Sequence, residues 1–317
     1  MTSTPHRAGF LALVAACLWP AVSAPTALAA GIGFALVVGN PYPEQSGKAS
    51  GWLLKAAVVG LGFGLPLTAV VETGLPGLAL MGLAVVAVLL LGLLMARMLS
   101  MGRDAGVLIS VGTAICGGSA IAALAPIIGA RREAIAVALA VVFVLNALAL
   151  YLFPIVGRSL DLSQAAFAAW SAVAIHDTSS VVGAASVYGV ESLEQATILK
   201  LARALWIVPV AIAFAAWMNA RGEARAASIR WPWFIGLFVL AAASRSLAPE
   251  FDPVFDIAAS GARQLLVVVL FLIGSGLGVD ALRRVGWRPL VHATGLWLIV
   301  SAATLLLVLG NTGGATG

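Results

Sequence analysis

The sequence predicts an all-α polytopic membrane protein of about eleven transmembrane helices, and three observations predict it. Of its 317 residues, 62% are hydrophobic and only 10% charged, with a mean hydropathy of +1.06, a composition foreign to soluble domains. Apolar runs of roughly 20 residues, long enough for a helix to cross the hydrocarbon core, follow one another almost end to end. Short polar connections separate them, and Trp19, Trp52, Trp217, Trp231, Trp233 and Trp287 fall near predicted ends, where interfacial anchors belong.

Taken in order, the first span covers 8–20. Arg7, a short apolar stretch and Ala21-Val22-Ser23-Ala24 also fit a signal peptide, whose removal leaves the rest of the topology unchanged. Val14-Ala15-Ala16-Cys17 follows too short an apolar stretch to serve as a lipobox. Five spans then run over 24–39, 52–70, 76–98, 105–129 and 132–154, and five more over 164–188, 193–219, 231–247, 262–284 and 288–310. Turn-forming punctuation marks the connections: Asn40-Pro41-Tyr42-Pro43, Thr73-Gly74 with Pro76, Arg221-Gly222-Glu223, and Pro249-Glu250-Phe251-Asp252-Pro253. No linker is long enough to separate domains, so 1–317 reads as one transporter domain: an extra first span (1–22), a first repeat (23–155) and a second (160–312).

The net charge of +5 and pI near 9.8 do not point to nucleic acid, because the basic residues sit at helix ends and not in runs with aromatic partners. They report topology instead. With the N-terminus inside, Arg7, Lys48, Lys55, Arg97, Arg103, Arg158, Arg221, Arg225, Arg230, Arg283, Arg284 and Arg288 are cytoplasmic and Arg131, Arg132, Arg245 and Arg263 outside, twelve against four, which orients the chain with its C-terminus outside. Cys17 and Cys116 both lie in apolar segments, so neither a disulfide framework nor a metal pattern is present, and no cofactor is implied.

The ten spans after the first divide into two fives that enter from opposite sides, an inverted-topology repeat. The fourth span of each half carries a glycine-rich interruption: Cys116-Gly117-Gly118-Ser119 in one, Gly274-Ser275-Gly276 with Gly278 in the other, with Pro66 and Pro209 as a weaker match in the third spans. Two such interrupted helices crossing near the midplane point to a transporter's binding site. Ala114-Ile115-Cys116-Gly117-Gly118-Ser119 also resembles Ala174-Ile175-His176-Asp177-Thr178-Ser179 at an offset of 60, but sixty residues hold too few spanning helices for a self-standing half, so this is not taken as the repeat unit.

A helix restarting after a break presents unpaired N–H groups and about half a positive charge, which attracts an anion. Thr113, Cys116, Gly117, Gly118 and Ser119, with Gly274, Ser275 and Gly276, are therefore candidate substrate ligands, against the alternative that the glycines merely let helices pack closely. Lys200 and Arg203, one turn apart on one face, are expected to supply counter-charge for a dianion, Arg203 gripping two oxygens at once, unless both snorkel to the surface. His176 and Asp177 are candidates for proton coupling, with Asp177 alternatively capping a helix that restarts at Thr178.

These segments resemble the YeiH-type family of bacterial inner-membrane proteins, named as sulfate exporters. The resemblance rests on the stretch from Gly112 to Pro126, on Ala174-Ile-His-Asp-Thr-Ser179 with Val181-Val182-Gly183-Ala184, on Lys200-Leu-Ala-Arg203, and on Gly276-Leu-Gly-Val-Asp280 followed by Arg283-Arg284-Val-Gly-Trp-Arg-Pro289. It implies secondary transport in the inner membrane, an inorganic or organosulfur anion by name only, and an architecture similar to bile-acid symporters and sodium/proton antiporters. The expected function is a secondary anion transporter, working as an exporter, with a small anion and the lipid bilayer as its partners, no nucleic acid, and a homodimer left open. A cation/proton antiporter using Asp177 competes with it, disfavoured by the two fixed cations. An intramembrane enzyme using Cys116 and His176 as nucleophile and base lacks an orienting group, so no enzyme is expected.

Overall fold

The computed structural model describes residues 4–223, 232–276 and 286–313, and every regular element among them is helical. Among the described residues five stretches are long and apolar enough to cross a membrane: Leu67–Met98, Arg132–Ser159, Val190–Ala220, Pro249–Ser275 and Trp287–Gly310. The chain forms two compact units that interleave in sequence.

The first unit holds α1 (Thr4–Ala16), α2 (Ala24–Val37), α3 (Pro43–Gly62), α12 (Trp233–Leu247) and α13 (Asp252–Ser275). Helix α13 packs on α2 and α3, and α12 on α3. The α2–α13 contact is close because both helices place glycine there: a Cβ on Gly31 would lie 2.3 Å from the Phe271 carbonyl oxygen, and one on Gly274 2.6 Å from that of Leu28. Beside this crossing Phe10, Cys17, Ala27, Val267, Val268 and Phe271 form a buried cluster. Arg245 ties α12 to its neighbours, donating to the Phe63 carbonyl at 2.9 Å and to Asp256 at 2.8 Å.

The second unit holds most of α4 (Leu67–Met98), then α5 (Arg103–Ala114), α6 (Gly118–Ile128), α7 (Arg132–Ser159), α8 (Gln164–Ala174), α9 (Thr178–Tyr188), α10 (Val190–Leu205), α11 (Ile207–Ala220) and α14 (Trp287–Gly313). Helix α4 runs unbroken through Thr73, Gly74 and Pro76, where a loop was expected, and the turn falls instead before Leu67, at Phe63–Pro66. One polar contact each ties α4 to α14 and to the α10–α11 joint: a His292 ring nitrogen meets the Gly92 carbonyl at 2.9 Å, and the Trp206 indole donates to the Leu78 carbonyl at 3.0 Å.

The expected spans over 105–129 and 164–188 do not cross anything. Each is a pair of half-length helices folded back on itself. At the base of the α5–α6 hairpin the Arg131 N–H donates to Asp104 at 3.0 Å, so the residue after α6 lies beside the residue that opens α5. The α8–α9 hairpin closes in the same way: the Tyr188 hydroxyl donates to the Leu162 carbonyl at 2.5 Å, Tyr188 stacks on Phe167 with ring centroids 3.8 Å apart, and the Ser192 N–H donates to the Gln164 side chain at 3.2 Å. The first hairpin's base joins the start of α7 and the second's joins its end, so the two enter the unit from opposite ends. The first packs through α6 along α11 and the second through α8 and α9 along α10.

This corrects the expected topology. Arg131 and Arg132 share an end with Arg103 and do not lie opposite it, while Arg158, at the far end of α7, lies opposite Arg103 and not with it. A run of about 25 apolar residues has the composition of one crossing, and hydropathy cannot register that the chain doubles back. At the Arg103 end, Arg103 donates to Glu223 at 2.7 Å, which holds that carboxyl below its ordinary range, and its guanidinium lies 4.7 Å from the Trp217 ring centroid.

The hairpins predict a labelling pattern. With Cys17 and Cys116 replaced by Ala, single cysteines at Arg103 and Arg132 should react with a membrane-impermeant maleimide from one side of sealed vesicles, and single cysteines at Asp161 and Glu191 from the other. Labelling of Arg103→Cys and Arg132→Cys from opposite sides would restore a spanning helix.

Candidate functional site

A helical hairpin buried at membrane depth brings two problems to its tip. The last carbonyls of the descending helix and the first N–H groups of the returning one have no partners within their helices, and no lipid can supply them. The structure solves the first problem for both hairpins with one pair of side chains. Arg203 donates from Nε to the Ala114 carbonyl at 2.7 Å, from Nη2 to Thr113 at 2.8 Å, and from Nη1 to Ala172 at 3.1 Å and to Val173. One turn earlier on α10, Lys200 Nζ donates to Ile175 at 2.6 Å and Ala172 at 3.3 Å. Both side chains are fully buried. They sit at the C-terminal ends of α5 and α8, where the helix dipoles are negative and a cation is stabilised.

Neither expected role for these cations matches this geometry. Burial rules out snorkelling. The Arg203 guanidinium nitrogens grip main-chain carbonyls, so the oxygens it holds belong to the protein and not to a substrate. Composition and spacing showed that the two charges share a face but could not show what that face meets.

The second problem is solved differently at the two tips. In the α8–α9 hairpin the turn is Ile175-His176-Asp177, and the Asn146 side-chain oxygen on α7 accepts from the N–H groups of His176 and Asp177, both at 3.2 Å. Asp177 then caps α9, its carboxylate accepting from the Ser179 N–H at 3.1 Å and from the Ser179 hydroxyl. Among the described residues Asp177 makes no ion pair. In the α5–α6 hairpin the turn is Ile115-Cys116-Gly117, the Gly117 N–H returns to the Gly112 carbonyl at 2.8 Å, and no side chain caps α6. Gly117 takes φ +60° and ψ −125°, a conformation that side chains resist. The two turns touch, since a Cβ on Gly117 would lie 3.4 Å from that of Asp177.

The remaining candidates divide between the units. At the tips, Cys116 is buried, Gly118 is half-buried against Phe143 and Leu139, and Ser119 is exposed. The Thr113 hydroxyl, the Asn146 side-chain nitrogen and both His176 ring nitrogens are buried without hydrogen-bond partners. His176 therefore makes no nucleophile–base hydrogen bond to Cys116. Gly274, Ser275 and Gly276 belong to the first unit, where α13 runs to Ser275 and stops at Gly276, and the stretch 277–285 that follows lies outside the described residues. Gly274 serves the α2 packing, and Ser275 accepts from Asn40 at 3.2 Å and donates to the Leu272 carbonyl at 2.8 Å. Gly278 lies outside the described residues.

The partner of the first break is the stretch 174–179, the resemblance at an offset of 60 that was not taken as a repeat. Adding 60 to the bounds of α6 gives those of α9, α5 maps onto α8 within one residue, α7 onto α10–α11 and α4 onto α7, each of these within a few residues. The unit is helix, hairpin, helix. It is short enough for sixty residues because the hairpin crosses nothing, and its two copies share α7. Asn146 escaped notice in the sequence although a lone amide in an apolar span is a recognised signal.

Two opposed re-entrant hairpins, meeting tip to tip over buried cations inside a set of apolar helices, define a polytopic helical membrane protein with an internal polar centre. The chain belongs to the family described as conserved hypothetical protein 698, which matches residues 9–293 and is the YeiH-type family that the motifs resemble. It is 47% identical to a UPF0324 membrane protein of Geobacter sulfurreducens, over 96% of each chain. It is 46% identical to one of Bdellovibrio bacteriovorus, over 92% of this chain and 91% of the relative, and 43% identical to one of Bacteroides thetaiotaomicron, over 92% and 88%. No solved structure matches it.

The tips predict a graded response to substitution. Arg203→Met strands buried carbonyls and is expected to cost about 2–4 kcal/mol, read as a fall in Tm of the detergent-solubilised protein. Asp177→Ala, which removes one cap, should cost about 1 kcal/mol, and Asp177→Asn, which can still accept from Ser179, less than that. An Arg203→Met protein as stable as the parent would show that the carbonyls find other partners.

Proposed function

We propose that the protein is a secondary transporter of small anions, working as an exporter, with its anion seat at the N-terminus of α6. The observation that carries this reading is the asymmetry of the two repeats. The start of α9 already holds an anion, the Asp177 carboxylate. The equivalent start of α6 has glycine at that place, no side-chain cap and an exposed serine at its second residue. An unpaired helix start next to buried cations favours negative charge, and glycine keeps the backbone open to an oxyanion.

The membrane-family relatives are consistent with transport, and the inverted arrangement of the hairpins suits alternating access, with one hairpin closing the seat toward each side. The end of the second unit that bears Arg97, Arg103, Arg131, Arg132, Arg221 and Arg288 is cytoplasmic by the positive-inside rule, against Arg158 at the other end. On this reading α14 has its C-terminal end outside. An inner-membrane location follows from the family resemblance. Cation/proton antiport through Asp177 is less well supported, because that carboxylate is occupied by Ser179 beside two fixed positive charges. Proton coupling through His176 or Asp177 remains part of the anion reading, since His176 offers an imidazole with no hydrogen-bond partner at the tips.

Purified protein in detergent should gain thermal stability with small oxyanions and none with sodium or potassium. Ser119→Ala should weaken that anion effect about tenfold, the worth of one charge-assisted hydrogen bond, while leaving the anion-free Tm unchanged. Stabilisation by alkali cations alone, abolished by Asp177→Asn, would favour the antiporter.

A further inference from the structure

We infer that the seat at the hairpin tips is matched to one negative charge, so that its ligand is a monoanionic oxyanion with a carboxylate- or sulfonate-type headgroup and not a dianion. This rests on the anion reading above and adds the charge and geometry of the ligand.

The charge follows from a count of fixed groups. Lys200 and Arg203 contribute two positive charges, both fully buried and both held on the carbonyl ends of α5 and α8. Asp177 contributes one negative charge, at a turn in contact with Gly117. Two helix C-termini and two N-termini meet at the tips, so their dipoles cancel in pairs. His176 is neutral in this count. Other ionisable groups on the surrounding helices lie elsewhere: Glu194 is six residues before Lys200 on another face of α10, and the charges of α4, α7 and α14 lie toward their ends, apart from His292 against the Gly92 carbonyl. One positive charge is left over. In a medium of low dielectric an unbalanced charge is costly, whichever its sign. A monoanion brings the sum to zero, whereas a dianion leaves one negative charge.

The headgroup follows from the repeat. Ser179 offers its N–H and its hydroxyl together to the Asp177 carboxylate, and Ser119 occupies the equivalent place in the first hairpin with no carboxylate supplied by residue 117. The protein's own side chain thus displays the ligand that the vacant copy suits: two oxygens on one atom, sharing one negative charge. A separate observation also points to a ligand at the tips. The Asn146 side chain is 3% exposed, and its nitrogen has no partner although its oxygen holds the second turn. That leaves a neutral donor at the tips, on the side chain that holds the turn touching Gly117, able to bind an anion without adding charge.

The test is a binding titration of the full-length protein in detergent at neutral pH and constant ionic strength, followed by thermal shift, with acetate, methanesulfonate and sulfate as probes. The parent should bind acetate or methanesulfonate at least tenfold more tightly than sulfate, and the preferred one of the two identifies the headgroup. Asp177→Asn keeps the cap but adds one positive charge, and should move the preference toward sulfate by at least tenfold. Ser119→Asp, at an exposed position, installs the missing carboxylate and should abolish monoanion binding, which keeps the inference decidable if Asp177→Asn does not fold. Sulfate binding equal to or tighter than the monoanions, an unchanged preference in Asp177→Asn, or undiminished monoanion binding in Ser119→Asp would each overturn the charge match. Loss of binding to all three probes in the folded parent would instead remove the anion reading itself.

Discussion

The hydrogen bonds from Arg203 and Lys200 to the carbonyls of Thr113, Ala114, Ala172, Val173 and Ile175 are the constraint on which the second unit depends. Re-entrant hairpins are rare in soluble proteins and demanding in membranes, because each tip brings helix ends into a region where water is scarce. A single α10 face answers for both tips. Each unmet buried carbonyl costs about 1–3 kcal/mol, so losing Arg203 would destabilise both hairpins at once. Their burial would be prohibitive without those acceptors, so cations and hairpins make each other possible.

The same arrangement divides the four helix ends by sign. The negative ends of α5 and α8 are covered by the protein's own cations. Of the positive ends, that of α9 is covered by Asp177, whereas that of α6 has glycine at the capping place and no cap from it. The two copies differ at the residue, Gly117 against Asp177, that decides whether the helix start is closed by the protein or open to something else. The glycine also takes a backbone conformation that would oppose a side chain, so the vacancy is fixed in the local geometry as well as in the composition.

Several errors in the topology drawn from sequence share one origin. Hydropathy registers how much apolar chain is present and not its direction, so both hairpins read as crossings, which separates Arg131 and Arg132 from Arg103, whose end they share, and groups Arg158 with it. With the hairpins read as spans, sixty residues hold too few helices for a repeat, and Gly274–Gly276 offers the next glycine-rich match to Cys116–Ser119. Gly274 has a packing reason to be glycine, the approach of α13 to α2. Pro76 was taken for a loop although a membrane helix carries an internal proline readily, and the turn lay ten residues earlier around Pro66.

The sequence by itself determined the class of the protein, the location of a polar break at Cys116–Ser119, the capping residue Asp177 and the shared face of Lys200 and Arg203. These depend on composition and on spacings within a turn or two, where chain connectivity leaves little freedom. Only the tertiary structure decided that the broken helices fold back, that 114–119 pairs with 174–179, and that the two cations face carbonyls and not open space. Each of these rests on contacts between residues 25 to 90 positions apart, and such contacts are chosen by which buried polar groups can satisfy one another, a selection that no local pattern records.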